Sequence, residues 1–419
     1  MILEALFLVL IGVITAYLIR HYVFTITALY SGKKGSNNEN VRYKPKVSIL
    51  IPAKDEETVI GRLLKRLTEL TYPKERMEIL VIDDASKDKT GEIAEEFSRK
   101  YDFIKVIHRR PREGGNGKPA ALNEAMKHVK NDIVLCFDAD YFPQKDIIEK
   151  LVAYFADPHV GAVQGRVTVL NEPQNLVTRL VALERIGGYR VDQKARGDLK
   201  LIPQYGGTAG GFRKELVEAA GGWDSAMLAE DTDLTFRIYL MGYKVGYVDD
   251  AECYEEAVEN WRAYWHQRQR WAKGHMQCAF KYTLPMLKSR KLSLKEKIDG
   301  LLLLHIYFLP LLVLLAWVLG IFLYVSNSTK WTAFLLNFIP LSIYSAVGNF
   351  APFFEVGVGA YLDGRTRVFW LVPLLAFTFL YNMAICVTAF FGLCFSKIRR
   401  TRLSWEKTFH NGRGNGCLY

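Results

Sequence analysis

Apolar residues crowd both ends of this chain and break into short runs between them. Residues 1–30 are nearly continuous hydrocarbon, interrupted at Glu4 and at Arg20-His21. Residues 301–325 and 369–395 are as apolar, and each reaches the roughly 20 residues an α-helix needs to cross a bilayer. Residues 331–354 are long enough too, but Pro340, Gly348, Asn349 and Pro352 interrupt them, which predicts a bent, re-entrant or interfacial segment. In the middle of the chain, residues 47–51, 79–82, 103–107 and 133–137 are short β-branched runs of the kind that form buried strands. Between them, 58–70, 90–101 and 118–129 place apolar side chains at helical spacing. Strands alternating with helices predict an α/β domain built on a parallel sheet with helices on both faces. Such sheets take ligands beyond the carboxyl ends of their strands, so the polar residues that follow each strand matter most.

The 419 residues are half apolar, and the formal charge is +11. A basic chain implies nucleic acid or an anionic membrane surface as its partner. The position of the charge decides between them. Lys33-Lys34, residues 288–297 and residues 397–402 all flank apolar spans, as cytoplasmic segments of membrane proteins do. Membrane lipid is therefore an expected partner and nucleic acid is not. The first residues lack the basic start and small-residue cleavage site of a signal peptide, so they read as an anchor with Arg20 snorkelling. Three crossings after the middle domain would carry 397–402 outside, whereas two keep them inside, and the charge favours two. Six cysteines without a C-x-x-C pair read as reduced packing residues.

Carboxylates collect where the strands end. Ala53-Lys54-Asp55-Glu56-Glu57 follow the first strand, Asp83-Asp84 the second and Asp138-Ala139-Asp140 the fourth. Gathered at one edge, they repel each other unless a cation or a ligand's donors offset the charge. Asp138 and Asp140 share a face of an extended strand end, and hard oxygen ligands suit Mg2+ or Mn2+; the alternative is a solvated acidic turn. Lys118 opens a helix after Gly114-Gly115-Asn116-Gly117, and a helix N-terminus with a lysine favours phosphate; the alternative is a surface loop. Gln267, Arg270 and Trp271 fall at i, i+3 and i+4, one face of an amphipathic helix. Its apolar stripe, Val258, Trp261, Trp265, Ala272, Met276 and Ala279, predicts a place at the membrane interface. Residues 175–194 read as a second such helix, and Glu230–Met241 as a further helix with acids in its first turn.

The runs VSILIPAKDEE, VIDDAS, NGKPAALNEA, FDAD, AEDTDLTFR and QRQRW follow one another between residues 45 and 275. Together they resemble the family-2 glycosyltransferases, and within them the cellulose-synthase-like branch with its hyaluronan and chitin synthases. The resemblance implies a GT-A nucleotide-diphospho-sugar fold, a Rossmann-like mixed sheet, and inverting transfer. It implies that Ala53, Glu56, Asp83 and Asp84 hold the nucleotide, with Lys118 beside the diphosphate. Asp138 and Asp140 would hold a divalent metal against that diphosphate, Asp138 also touching the nucleotide-sugar. Asp231 would be the base for the acceptor hydroxyl, with Glu230 next to it. Gly207, Thr208, Gln267, Arg270 and Trp271 would meet the diphosphate and the acceptor. Residue 229 is Ala where many of the family have Thr.

The implied layout is an anchor over 1–32, a cytoplasmic GT-A catalytic domain over 33–250 and amphipathic interfacial helices over 251–300. A C-terminal transmembrane region over 301–396 and a basic cytoplasmic tail over 397–419 complete it. Two products fit: one sugar added to a lipid-linked glycan acceptor, or a polysaccharide extended processively. A non-catalytic receptor or transporter is disfavoured, because every acid the family uses is present. Nothing in the sequence separates UDP-glucose, UDP-N-acetylglucosamine and GDP-mannose as the donor.

Overall fold

The computed structural model describes residues 2–31, 43–110, 117–326, 331–399 and 412. Lys33, Lys34, Gly114, Gly115, Asn116 and the tail beyond residue 399, save Gly412, fall outside them.

Helix α1 (Ile2–Ser31) precedes an α/β domain. Its first half runs β1 (Val47–Ala53), α2 (Ile60–Thr68), β2 (Met77–Asp83), α3 (Thr90–Lys100), β3 (Ile104–His108), α4 (Lys118–Met126) and β4 (Ile133–Cys136). These strands are parallel, Val47 pairing with Met77 on one side and Ile133 on the other. Alternate residues serve opposite faces. Ile49, Ile51, Ile79 and Val81 enter one core with Leu63 and Leu67 of α2. Leu50, Leu80 and Ile82 enter the other with Ala121 and Leu122 of α4. Burial on both faces is why these strands appear as unbroken apolar runs.

The second half adds β5 (Phe142–Pro143), α5 (Ile147–Ala153) and β6 (Val160–Val169). Helix α6 (Leu176–Arg185) then continues through a π-helical segment (Ile186–Gln193) into α7 (Lys194–Asp198). After it come β7 (Gly210–Arg213), α8 (Lys214–Ala219), α9 (Glu230–Met241) and β8 (Lys244–Glu255). The sheet order is β3-β2-β1-β4-β7-β6-β8-β5, and β7 is antiparallel to both β4 and β6. The wholly parallel sheet expected from the alternation is thus mixed, as in the GT-A fold. Strand β7 was silent in the apolar pattern because it is built from glycines. A Cβ at Gly211 would lie 2.0 Å from the Val134 carbonyl oxygen, so the strand fits between its neighbours only without side chains.

The remaining elements are helical: α10 (Trp261–Lys288), α11 (Leu294–Leu304), α12 (Leu309–Ser326), α13 (Trp331–Leu362) and α14 (Leu375–Arg399). Helix α13 is continuous through Pro340, Gly348, Asn349 and Pro352, against the expectation of a broken segment. It packs along α1, where a Cβ at Gly348 would sit 2.9 Å from Leu18. Helix α1 alongside it covers part of its length. Its far end is fixed to the α/β domain, with Arg166 and Arg190 pairing with Asp363.

Helix α14 runs alongside α10 in the same direction. Trp261 meets Tyr381 (5.2 Å between ring centroids), Gln269 donates to Thr388 (3.2 Å), and Lys273 lies beside Gly392. The apolar stripe of α10 is therefore covered partly by protein: Ala272 and Met276 pack on Cys386 and Ala389. Helix α1 also reaches the α/β domain, Arg20 pairing with Asp192, and α11, where the Tyr17 hydroxyl donates to the Leu302 carbonyl (2.9 Å).

Candidate active site

The acidic strand ends are held by cross-loop hydrogen bonds. After β1, the Asp55 and Glu56 N–H groups donate to Ser86 Oγ (3.0 Å) and Thr90 Oγ1 (2.7 Å). The Asp84 N–H donates back to the Ala53 carbonyl (2.8 Å), and Arg109 pairs with the Asp84 carboxylate. Asp83 behaves differently from Asp84. Its carboxylate holds His108 (2.9 Å) and accepts from the Ser86 N–H (3.0 Å). The hydrogen bond His108 donates to Asp83 raises the histidine's pKa, with Glu95 adding to it against the opposing effect of burial. Ala53, Glu56 and Asp84 line a central cavity; Asp83 stands behind them.

That cavity has a volume of about 430 Å3, within the range of small-molecule sites. Asp138 and Asp140 line it next to β4, and the Asp138 N–H donates to Thr208 Oγ1 (3.0 Å). The Lys118 ammonium bridges Asp138 Oδ1 (2.6 Å) and the Gly207 carbonyl (2.9 Å). Burial would lower the Lys118 pKa, but the charges of Asp138, Glu230 and Asp231 outweigh it and hold it raised. Asp140 is buried and accepts from the Glu256 N–H (3.3 Å). Among the described residues no three His, Cys, Asp or Glu side chains cluster as a complete metal cage. Two carboxylates beside a cavity are what Mg2+ uses when substrate phosphates and water supply its other ligands. The donor set fits an ion that arrives with its substrate.

Helix α9 begins at the cavity wall with Glu230 and Asp231. Burial pushes Glu230 up to about 7, Asp231 adding to it while Lys118 opposes. Asp231 faces the Gly206-Gly207-Thr208 loop: Gly207 has φ +88°, and a Cβ there would lie 3.0 Å from Asp231 Oδ2. Only glycine both adopts that backbone and leaves the carboxylate room. Ala229 packs on Gly274 of α10, where an added Cβ would come within 2.6 Å of the Ala229 nitrogen. The absence of the common threonine at 229 thus goes with a close helix contact.

Gln267, Arg270 and Trp271 line the cavity from one face of α10. The Arg185 and Arg268 guanidiniums lie 5.1 and 4.2 Å from the Trp271 ring centroid. The fold thus brings the sequence-predicted residues around one space, Asp83 in the second rank and Gly207 in the loop beneath Lys118. Residues that the sequence reading did not single out line the same cavity: Arg185, Gly188, Gln193, Arg196, His275 and Tyr307. His275 is held down to about 4 by burial, against the pull of Asp231. Its signal was available, one helical turn after Trp271; the others belong to helices whose polar faces look like ordinary solvated ones.

Residues 45–274 match the family described as "Glycosyltransferase like family 2". A "Probable glycosyltransferase YdaM" from Bacillus subtilis (strain 168) is 40% identical over 254 residues, 60% of each chain, so this chain spans well under two thirds of that relative's length. A "Beta-monoglucosyldiacylglycerol synthase" from Nostoc sp. (strain PCC 7120) is 32% identical over 375 residues, 88% of this chain and 77% of that one. A solved mannosyltransferase, PcManGT from Pyrobaculum calidifontis in complex with GDP-Man and Mn2+, shares the fold with a TM-score of 0.58. It is 23% identical, and the match covers 88% of this chain and 99% of that one. With its six motifs in order on a GT-A sheet and a matched family region of more than half its length, the chain belongs to the family-2 glycosyltransferases.

Proposed function

We propose that the protein transfers one hexose, with inversion, from a nucleotide-diphospho-sugar to a lipid-borne hydroxyl at the cytoplasmic membrane face. One observation carries this reading: the cavity runs from the acidic strand ends to Leu303, Ile306 and Tyr307, where a helix apolar enough to cross a membrane begins. A donor site and a lipid phase thus share one space. Ala53, Glu56 and Asp84 face the nucleotide, with Asp83 bracing them. Lys118 and Arg270 take the diphosphate charge, and Trp271 stacks on a sugar. Asp138 and Asp140 would hold Mg2+ or Mn2+, which supplies charge compensation to the departing diphosphate. The acceptor oxygen bonds to sugar C1 as the C1–O bond to the β-phosphate breaks. The electron pair of that bond leaves with the nucleoside diphosphate, and the acceptor proton passes to Asp231. The relative named a monoglucosyldiacylglycerol synthase supports a lipid acceptor and a single addition.

The cellulose-synthase-like branch, and with it processive synthesis, is the second reading, supported by the QRQRW run on α10. Product length separates the two: one shifted lipid band or a ladder. For the site itself, Asp138→Asn and Asp140→Asn should each abolish transfer and weaken nucleotide binding only when Mn2+ is present. Nucleotide affinity that does not respond to EDTA in wild type or variants would remove the metal from this site.

We also propose that α1, α12 and α13 cross the membrane. Helix α14 then lies along α10 at the interface, although its composition alone would let it cross. Its start packs on α6, and its later turns pack on α10 and on the turn before α12, which supports a course along α10.

A further inference from the structure

The cavity has a second half, away from the acidic strand ends proposed for the donor. One wall of that half is a helical face: Arg185, Gly188, Tyr189, Asp192, Gln193 and Arg196 recur at steps of one helical turn from α6 into α7. The facing wall is His275 of α10 with Leu303, Ile306 and Tyr307, the turn that leads into α12. The His275 and Tyr307 rings lie 4.7 Å apart, and the stretch long and apolar enough to span a bilayer starts at Ile306. The far end of the cavity therefore lies against the start of a hydrocarbon-like helix.

Charge on this half is cancelled within the protein. Asp192 pairs with Arg20 of α1 and with Arg196 (3.1 Å), and Arg196 also holds Asp299 (2.8 Å). Two guanidiniums thus meet two carboxylates. Glu255 grips Arg185 through two hydrogen bonds (2.5 and 2.9 Å). A phosphate moving in here would lose its hydration and find each of these cations already neutralised, which makes its burial costly. A neutral hydroxyl asks for less. Arg196 Nη2 is buried without a hydrogen-bond partner, one donor still to be satisfied on the cavity wall.

Gly188 supplies the width. A Cβ built there meets nothing within 4 Å, whereas one on its neighbour Gly187 would sit 3.2 Å from Val356. Bare backbone at 188 therefore borders open volume, in a π-helical segment of the kind that recurs at functional sites.

We propose that the acceptor is an uncharged lipid carrying a free hydroxyl. It enters from the membrane between the 188–193 helical face and the 303–307 turn, along a path that Gly188 keeps open. The inference rests on the transferase reading above and adds to it the class of acceptor and the way in.

The test uses the full-length protein in phosphatidylcholine vesicles with Mn2+ and radiolabelled UDP-glucose, UDP-N-acetylglucosamine or GDP-mannose. The vesicles carry either dioleoylglycerol or undecaprenyl phosphate. Dioleoylglycerol should be labelled at least about tenfold faster. Gly188→Leu should slow that labelling by about tenfold or more. Its affinity for the free nucleoside diphosphate should stay within about twofold, because only the acceptor half is filled. Gly188→Ala adds a single methyl to open space, suits a helix better than glycine, and should cost less than about threefold. Faster labelling of undecaprenyl phosphate overturns the uncharged class, and wild-type rates in Gly188→Leu overturn the path. A wild type that binds no nucleotide and turns over no donor, even to water, would refute the transferase reading itself, and the acceptor inference with it.

Discussion

Glu230 and Asp231 share the first turn of α9, yet their surroundings give them different work. Asp231, the proposed base, faces Gly207, so Asp231→Asn should keep donor affinity and lose turnover by about 10²- to 10⁴-fold. Glu230 is the buried one. Its folded-state value of about 7 lies above the ordinary 4.5, so folding favours its protonated form. The stability it contributes is full below about pH 4.5 and is lost as pH rises through about 7, a swing of about 3 kcal/mol. Glu230→Gln should therefore melt with wild type near pH 4 and above it near pH 8, and curves that stay parallel across that range would refute the assignment. Asp233 belongs to neither role: it is fully buried and ties Arg237, Lys281 (2.7 Å) and the Tyr282 hydroxyl (2.6 Å). The three acids are equivalent as a helix start in the sequence. They part company because the partners of Asp233 arrive on α10, 48 and 49 residues downstream.

Among the elements, those whose burial leaves a periodic trace were legible. The four parallel strands were found within two residues of their ends, and α9 is Glu230–Met241 in both readings. Strand β7 left no trace, since Gly210 and Gly211 are chosen for how closely β4 and β6 approach rather than for apolarity. Gly211→Ala tests this: the methyl meets the Val134 carbonyl, and the loss should reach about 1–3 kcal/mol or more, read as a fall in melting temperature. A neutral effect would mean that the strand can shift at no cost. Helix α13 was misjudged for a related reason. Proline is a breaker in water, and the sequence does not say that α1 will cover one side of that helix. The wall formed by α6, the π-helical segment and α7 was seen as amphipathic, but a polar face toward a cavity and one toward solvent have the same periodicity.

At the scale of the whole molecule, the three crossings proposed for α1, α12 and α13 would leave the catalytic domain and the tail on one side. A cysteine placed in the tail should resist a membrane-impermeant reagent applied from outside, and one placed between α12 and α13 should react. Outside labelling of the tail would mean that α14 crosses after all. The proposed arrangement would keep the basic clusters inside with α13 in place of the 369–395 stretch, which is itself long and apolar enough to cross. The ion pair between Arg20 and Asp192 adds an order in time. Helix α1 leaves the ribosome first, and its arginine waits for a partner 172 residues behind it. Until then the guanidinium is an uncompensated charge in an otherwise apolar helix. A catalytic domain cut free of α1 would keep Arg196 against both Asp192 and Asp299, leaving one negative charge uncancelled on the wall of a cavity that must admit a diphosphate. Helix α1 is thus part of the enzyme's electrostatics as well as its proposed tether.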